Sequence, residues 1–367
     1  MRGNKNRSTT RRTRTVLSAA VVVCAVTAVL PGSAAAESTG AAGTLGAGVE
    51  RISVAPDGSQ SNGDSAGASI TPDGRHVVFT STATNLVPGG TPGDNTPYVR
   101  DQRTGQNKRI GSYSPLAPPV ITGDGQYVAY SIPWMRNIRV RQDQVQTGAT
   151  GSFNCLAYTC DQPSLSAGLG EVAVVIRVSA TQQRVEVGDW ISGSRQTVAT
   201  FNHTQSALPS ISGDARRVAY QDGQTKDVFV WDRTSGTSTG PIEGPAKEAT
   251  LVQLSDNGNK AVYLSGADTY VHDVSAGTAQ LVPNVKGVAI DPTGRYLLYA
   301  PVGTTGPSLV LRDLQTGTDE TVSDQPATAE VDAVSADGRD VVFRSAADDI
   351  VPGDTNGKPD LFIRRFY

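Results

Sequence analysis

The sequence predicts an all-β protein, a seven-bladed β-propeller, and three observations carry that expectation. A turn motif recurs seven times at a mean spacing of 44 residues, the length of a four-stranded blade. The chain holds 39 Gly and lacks helix-period runs beyond its N-terminal segment, which favours short strands joined by turns. The two ends of the chain read as complementary parts of one blade.

The repeat is an apolar pair, a turn of the form Ser/Thr-x-Asp-Gly, and an immediate apolar run, as in Ile70-Thr-Pro-Asp-Gly-Arg-His-Val-Val-Phe79. Residues 121–130, 211–220 and 334–343 repeat it clearly, and 165–174, 254–263 and 290–299 more loosely. Gly74, Gly125, Leu169, Ala215, Gly258, Gly294 and Gly338 hold the same position, where a tight hairpin needs φ > 0. Length alone would suggest two or three domains, but seven such units make one closed ring.

The first 36 residues stand apart. Arg2, Lys5, Arg7, Arg11, Arg12 and Arg14 form a basic stretch, residues 16–30 an apolar run, and Pro31 to Ala36 a small-residue site. This is the pattern of a secretory signal cleaved after Ala36, and the run is short for a membrane span. An uncleaved anchor is the alternative, and Arg11-Arg12 leaves general and twin-arginine export both open. Residues 37–48, rich in Gly, Ala, Ser and Thr, read as a flexible leader and 49–367 as the propeller. Without the signal the chain has 26 Lys and Arg against 35 Asp and Glu, a net charge of −9. Nucleic acid, which demands a basic surface, is therefore not the expected partner, and no basic amphipathic helix points to a membrane surface.

Cys24 lies within the signal. Cys155 and Cys160 remain, and in an exported protein they are expected to form a disulfide stapling one loop. So short a loop contributes only about 2 kcal/mol. Free thiols are the alternative.

Each unit reads as four strands. The first is short. The second, such as 76–81 or 296–299, is almost wholly apolar, as expected of a strand buried on both faces. The third ends in Asp at Asp101, Asp232, Asp273 and Asp313, each followed four residues later by Gly. An Asp there can accept backbone N–H bonds while the Gly closes the turn. The fourth strand is polar and outermost. Residues 361–365 form a third strand with no fourth to follow, and 49–54 resemble a fourth strand with no blade before it. Joining them closes the ring and removes its exposed edge. The expected blade spans are 68–112, 118–155, 162–200, 207–243, 249–284, 286–324 and 330–365.

The core [Ser/Thr]-x-Asp-Gly-[Arg/Gln]-x-Val-[Val/Ala]-[Phe/Tyr] resembles the WD-like propeller repeat of the TolB family, over essentially the whole chain after the signal. The resemblance implies a protein-interaction scaffold. TolB itself carries a second domain for which this chain has no room. Some propellers of this repeat type are pectin-fragment lyases with a His-rich metal site. The three histidines here, His76, His203 and His272, fall in different blades without metal-ligand spacing.

Other candidate sites are few. Asp73, Asp124, Asp214 and Asp337 occupy one turn in different blades and read as turn residues. Gly63-Asp-Ser-Ala-Gly67 matches a nucleophile elbow in letters, but no strand precedes it and no helix follows. Asp354, Asn356 and Asp360 place oxygens at positions 1, 3 and 7 of a loop with Gly at 4, which suggests a structural Ca²⁺; a polar turn is the alternative. Of the three tryptophans, Trp231 reads as packing and Trp190 as either packing or surface. Trp134 lies in a loop and is the candidate binding surface.

The expected function is non-catalytic: a secreted or envelope-associated monomeric scaffold without a cofactor, binding a protein or cell-envelope partner through one rim of the ring. The alternative is an extracellular saccharide-acting lyase or glycosidase with carboxylates gathered in the central channel.

Overall fold

The computed structural model describes residues 48–90, 95–153, 155, 158–168, 170–303 and 305–366. The signal, the leader up to residue 47, Cys24 and Leu169 lie outside the described residues. Gly48, read as the end of the leader, begins a strand.

The chain opens with β1 (Gly48–Arg51). Blade 1 holds β2 (Ser65–Ile70), β3 (His76–Ser81), β4 (Thr96–Asp101) and β5 (Gln106–Arg109). Blade 2 holds β6 (Val120–Ile121), β7 (Tyr127–Trp134), β8 (Asn137–Gln144) and β9 (Thr150–Ser152). Blade 3 holds β10 (Thr159–Leu165), β11 (Glu171–Arg177), β12 (Gln183–Asp189) and β13 (Arg195–Phe201). Blade 4 holds β14 (Ser210–Ile211), β15 (Arg217–Asp222), β16 (Asp227–Asp232) and β17 (Thr237–Ile242). Blade 5 holds β18 (Thr250–Leu254), β19 (Lys260–Ser265), β20 (Asp268–Asp273) and β21 (Thr278–Val282). Blade 6 holds β22 (Val285–Ile290), β23 (Tyr296–Pro301), β24 (Leu309–Asp313) and β25 (Asp319–Ser323). Blade 7 holds β26 (Ala327–Thr328), β27 (Asp340–Ser345) and β28 (Asp360–Arg365).

Seven separate four-stranded sheets result, and the seventh has the order β1-β28-β27-β26. Gly48 pairs with Arg365 and Arg51 with Phe362, so the N-terminal strand completes the last blade as the sequence predicts. The strand is shorter than expected, ending at Arg51, and Val54 instead forms a bridge with Gln60.

The repeated turn owes its shape to two side chains. Thr71 Oγ1 donates to Asp73 Oδ1 at 2.6 Å, which also accepts from the Arg75 amide, while the His76 amide donates to Thr71 Oγ1. Thr122 with Asp124, Ser212 with Asp214 and Ser255 with Asn257 repeat the pattern. In blade 6 the order is exchanged, with Asp291 accepting from Thr293 Oγ1. The turn closes on a left-handed residue, Gly74 at φ 73° for example and, against its steric preference, Ala215 at φ 55°. The third-strand aspartates also serve turns. Asp101 Oδ1 accepts from the amides of Arg103 and Thr104, and Asp232, Asp273 and Asp313 do the same. Hydrogen bonds from Lys260 and Arg295 hold Asp273 and Asp313 well below the usual carboxylate range.

The aromatic that ends the motif pairs in register with the third strand. Phe79 stacks on Tyr98, Tyr220 on Phe229, Tyr263 on Tyr270 and Phe343 on Phe362, with ring centroids 5.3–5.7 Å apart. Such cross-strand pairs contribute about 0.5–1 kcal/mol each. Blades pack on one another through a second repeated contact, in which the first residue of the second strand covers the turn glycine of the next blade. A Cβ on Gly125 would meet His76 Nδ1 at 2.4 Å, and one on Gly74 would meet the Asp340 carboxylate of blade 7 at 2.4 Å.

Cys155 and Cys160 form the expected disulfide, with Cα atoms 5.9 Å apart. It is more than a surface staple. Both residues are buried in an apolar cluster with Ala129 and Val140 of blade 2 and Val172 and Ile176 of blade 3. Among the described residues no helix is long and apolar enough to cross a membrane.

Candidate functional site

The inner strands and repeated turns line a central channel, walled in part by the x residues Pro72, Gly123, Ala167, Asp256 and Pro292 of five turns. Neighbouring turns are tied together across blades. Asp124 N donates to Ala167 O, Ala167 N to Gly213 O, Gly213 N to Asp256 O, Asn257 N to Pro292 O, and Ala336 N to Pro72 O, at 2.7–3.1 Å. This collar narrows the channel to a cavity of about 30 Å³, walled by Ile70, Ile121, Leu165, Ile290 and Val334 together with Gln253, Asp256 and Asp332. Such a space holds about two water molecules, far below the roughly 300–1,000 Å³ of ordinary ligand pockets.

The polar part of this wall was not legible in the sequence. Asp332 sits in a left-handed conformation at φ 58°. Gln253 Nε2 donates to Asp332 Oδ1 at 2.5 Å, and Gln253 Oε1 accepts from the amides of Ile290 and Asp332. Burial pushes the Asp332 carboxyl up to about 6, partly offset by the bond from Gln253. Burial, then the charges of Asp332 and Asp291, push Asp256 up to about 7. Both side chains are partly accessible and line the channel, where burial disfavours the carboxylate forms. Asp256 had one signal: it is the sole charged residue at the x position, where other copies carry Pro72, Gly123, Ala167, Gly213, Pro292 and Ala336. Asp332 belongs to no motif.

The structure keeps the three histidines apart, and none lines the channel. His76 packs against Gly125, His203 Nε2 lies 2.8 Å from Asp222, and His272 is buried in β20, where burial lowers its pKa. Among the described residues no three His, Cys, Asp or Glu side chains converge as a metal site. Ser65 of the Gly63–Gly67 string is buried at the start of β2 and bonded to Ser81, remote from any nucleophile geometry.

Asp354, Asn356 and Asp360 do come together. The Arg51 guanidinium lies among them, with Asp360 also accepting from Ser53 Oγ at 2.6 Å and from Asn356 Nδ2 at 2.8 Å. The carboxylate oxygens that a calcium ion would need thus already face a cation and hydrogen-bond donors.

Trp231 is buried against blade 3, as packing. Trp190 is half-buried beside Phe153. Trp134 ends β7 in a two-residue hairpin with β8, paired to Asn137. Its ring meets Tyr113 edge-on at 6.4 Å, and the Arg139 guanidinium lies over it at 5.3 Å. Arg141 covers Tyr113 at 4.9 Å and is neutralised by the buried Asp143.

No protein-family model and no curated protein matches the chain. Solved structures do resemble it in fold. An oligogalacturonate lyase in complex with manganese superposes with a TM-score of 0.64 at 15% identity, over 88% of this chain and 94% of that one. An oligogalacturonate lyase from Vibrio parahaemolyticus gives 0.63 at 11% identity, over 86% and 93%. At this identity the likeness establishes the propeller architecture.

Proposed function

We propose that the chain is an exported, non-catalytic propeller scaffold that binds a protein or cell-envelope partner through one rim of the ring. The observation that carries this reading is the narrow channel: a collar of hydrogen-bonded turns leaves a space of about 30 Å³ at the axis, well below the roughly 300–1,000 Å³ of an ordinary ligand pocket. Blade architecture supplies a rigid platform, and loops at its rim supply recognition. The TolB-like repeat supports an interaction role. The signal pattern and the buried Cys155–Cys160 bridge support export.

A saccharide-acting enzyme is the second reading. The paired channel carboxylates Asp256 and Asp332 and the two lyase neighbours favour it. Immobilised protein exposed to envelope and secreted material tests the first reading, which expects saturable retention of a protein. Incubation with oligogalacturonate and manganese, followed by product chromatography, tests the second. Turnover abolished by Asp256→Asn or Asp332→Asn would replace the scaffold reading with the enzymatic one.

A further inference from the structure

The central hairpin of blade 2 departs from the other six. β7 and β8 run 8 residues each, whereas the second and third strands of the other blades run 5 to 7. The extra length carries Trp134 and the turn Met135-Arg136 out at the end of the blade. Met135, one of two methionines in the chain, is 93% exposed and held at φ 53°, a conformation that Gly or Asn adopts far more readily. Turn stability therefore does not account for a methionine here. Beside the hairpin, Leu116 is 52% and Tyr113 36% exposed, and a bond from the Leu116 amide to Ser131 O pins that segment to β7.

Charge adds a second observation. Arg136 is exposed and Arg139 rests on Trp134, and neither has an acidic partner among the described residues, unlike Arg141. Two uncompensated cations thus flank an exposed apolar tip on a chain whose net charge without the signal is −9. Aromatic residues, Met and Arg are the side chains enriched at protein interfaces, and flexible Met adapts to apolar side chains of varied shape. Arg139 covers one face of Trp134 and Tyr113 abuts it, which leaves little flat ring surface for a sugar.

We infer that this tip docks an acidic segment of a protein partner, with carboxylates against Arg136 and Arg139 and an apolar side chain against Met135 and Leu116. The inference rests on the scaffold reading and names its surface and the chemistry of its partner.

The test uses the exported protein carrying a photo-cross-linking residue at Leu116, in wild-type, Met135→Gly and Arg136→Glu/Arg139→Glu forms, against the producing organism's envelope and secreted proteins. The expected result is an acidic cross-linked peptide, displaced by polyglutamate. Capture should fall about tenfold or more in both variants, as for a hot-spot residue. Met135→Gly relieves the turn, so it should melt at or above the wild-type temperature while binding less. Equal capture by all three forms would overturn this surface and leave the scaffold reading standing. Retention of glycan alone, or of nothing, by the wild-type protein would overturn both.

Discussion

The Arg51 guanidinium lies 2.8 Å from the Asp354 carboxylate and 3.4 Å from that of Asp360, joining the first strand of the propeller to its last blade. The side chains of Arg51 and both aspartates are at most 8% exposed, so each charge depends on the others for compensation. Arg51→Ala should lower stability by about 3 kcal/mol, the cost of leaving buried carboxylates unpaired. Denaturant melts of the two proteins check it.

The same geometry bears on calcium. Because Arg51 already faces Asp354 and Asp360, Ca²⁺ should leave the wild-type melting temperature where chelator leaves it. In Arg51→Ala, Ca²⁺ should restore part of the lost stability. A rise in the wild-type protein would give the loop back to calcium.

The channel carboxylates set a pH dependence. Asp256 titrates near 7 and Asp332 near 6 in the folded chain, against about 3.9 when unfolded. Between those values the folded state holds more protons than the unfolded one. Their contribution is therefore complete below about pH 4 and is lost as pH rises through 6 and 7. Asp256→Asn should flatten that part of the stability profile and exceed wild type by about 1–3 kcal/mol at pH 8. Parallel profiles for the two proteins from pH 5 to 8 would refute the assignment.

Two turn positions give opposite expectations. Ala215 sits at φ 55° where most other copies carry glycine, so Ala215→Gly should stabilise by about 0.5–1 kcal/mol. Gly125→Ala should destabilise by more than about 1 kcal/mol, because φ is 70° and the new methyl would meet the His76 ring. Thermal melts separate the pair by sign.

The Cys155–Cys160 bridge closes a short loop, so Cys155→Ser/Cys160→Ser should cost about 2 kcal/mol from chain entropy. Burial of both sulfurs beside Val172 and Ile176 adds to that, since the substitution places two polar hydroxyls in an apolar cluster. A loss well under 2 kcal/mol would mean that the bridge closes little that packing does not already fix.

Seven blades could be read from the chain because a propeller writes its geometry locally. The Thr71–Asp73 and Asp101–Gly105 turns each complete their hydrogen bonds within six residues, so periodicity reveals them. The shared last blade was legible for the same reason, as a missing strand at one end and a spare one at the other. What the sequence hid lies between distant residues. Asp256 meets Asp332 only at the ring axis, and Arg51 reaches the Asp354 loop only after closure. The role of the x position as channel lining depends on the orientation of the turn, which spacing does not encode. The spacing of Asp354, Asn356 and Asp360 points to a loop that gathers oxygens, but the guanidinium beside them comes from the other end of the chain and no spacing reveals it.

Pairing of Gly48 with Arg365 puts the two ends of the propeller on neighbouring strands of one sheet. A short Gly/Ser linker could therefore join them, and the chain could be reopened between any other two blades. Such circular permutants would move the break from within blade 7 to a junction between two blades, leaving every blade with four strands consecutive in the chain. Comparing their unfolding rates would measure how much of the ring's resistance to opening resides in that single shared blade.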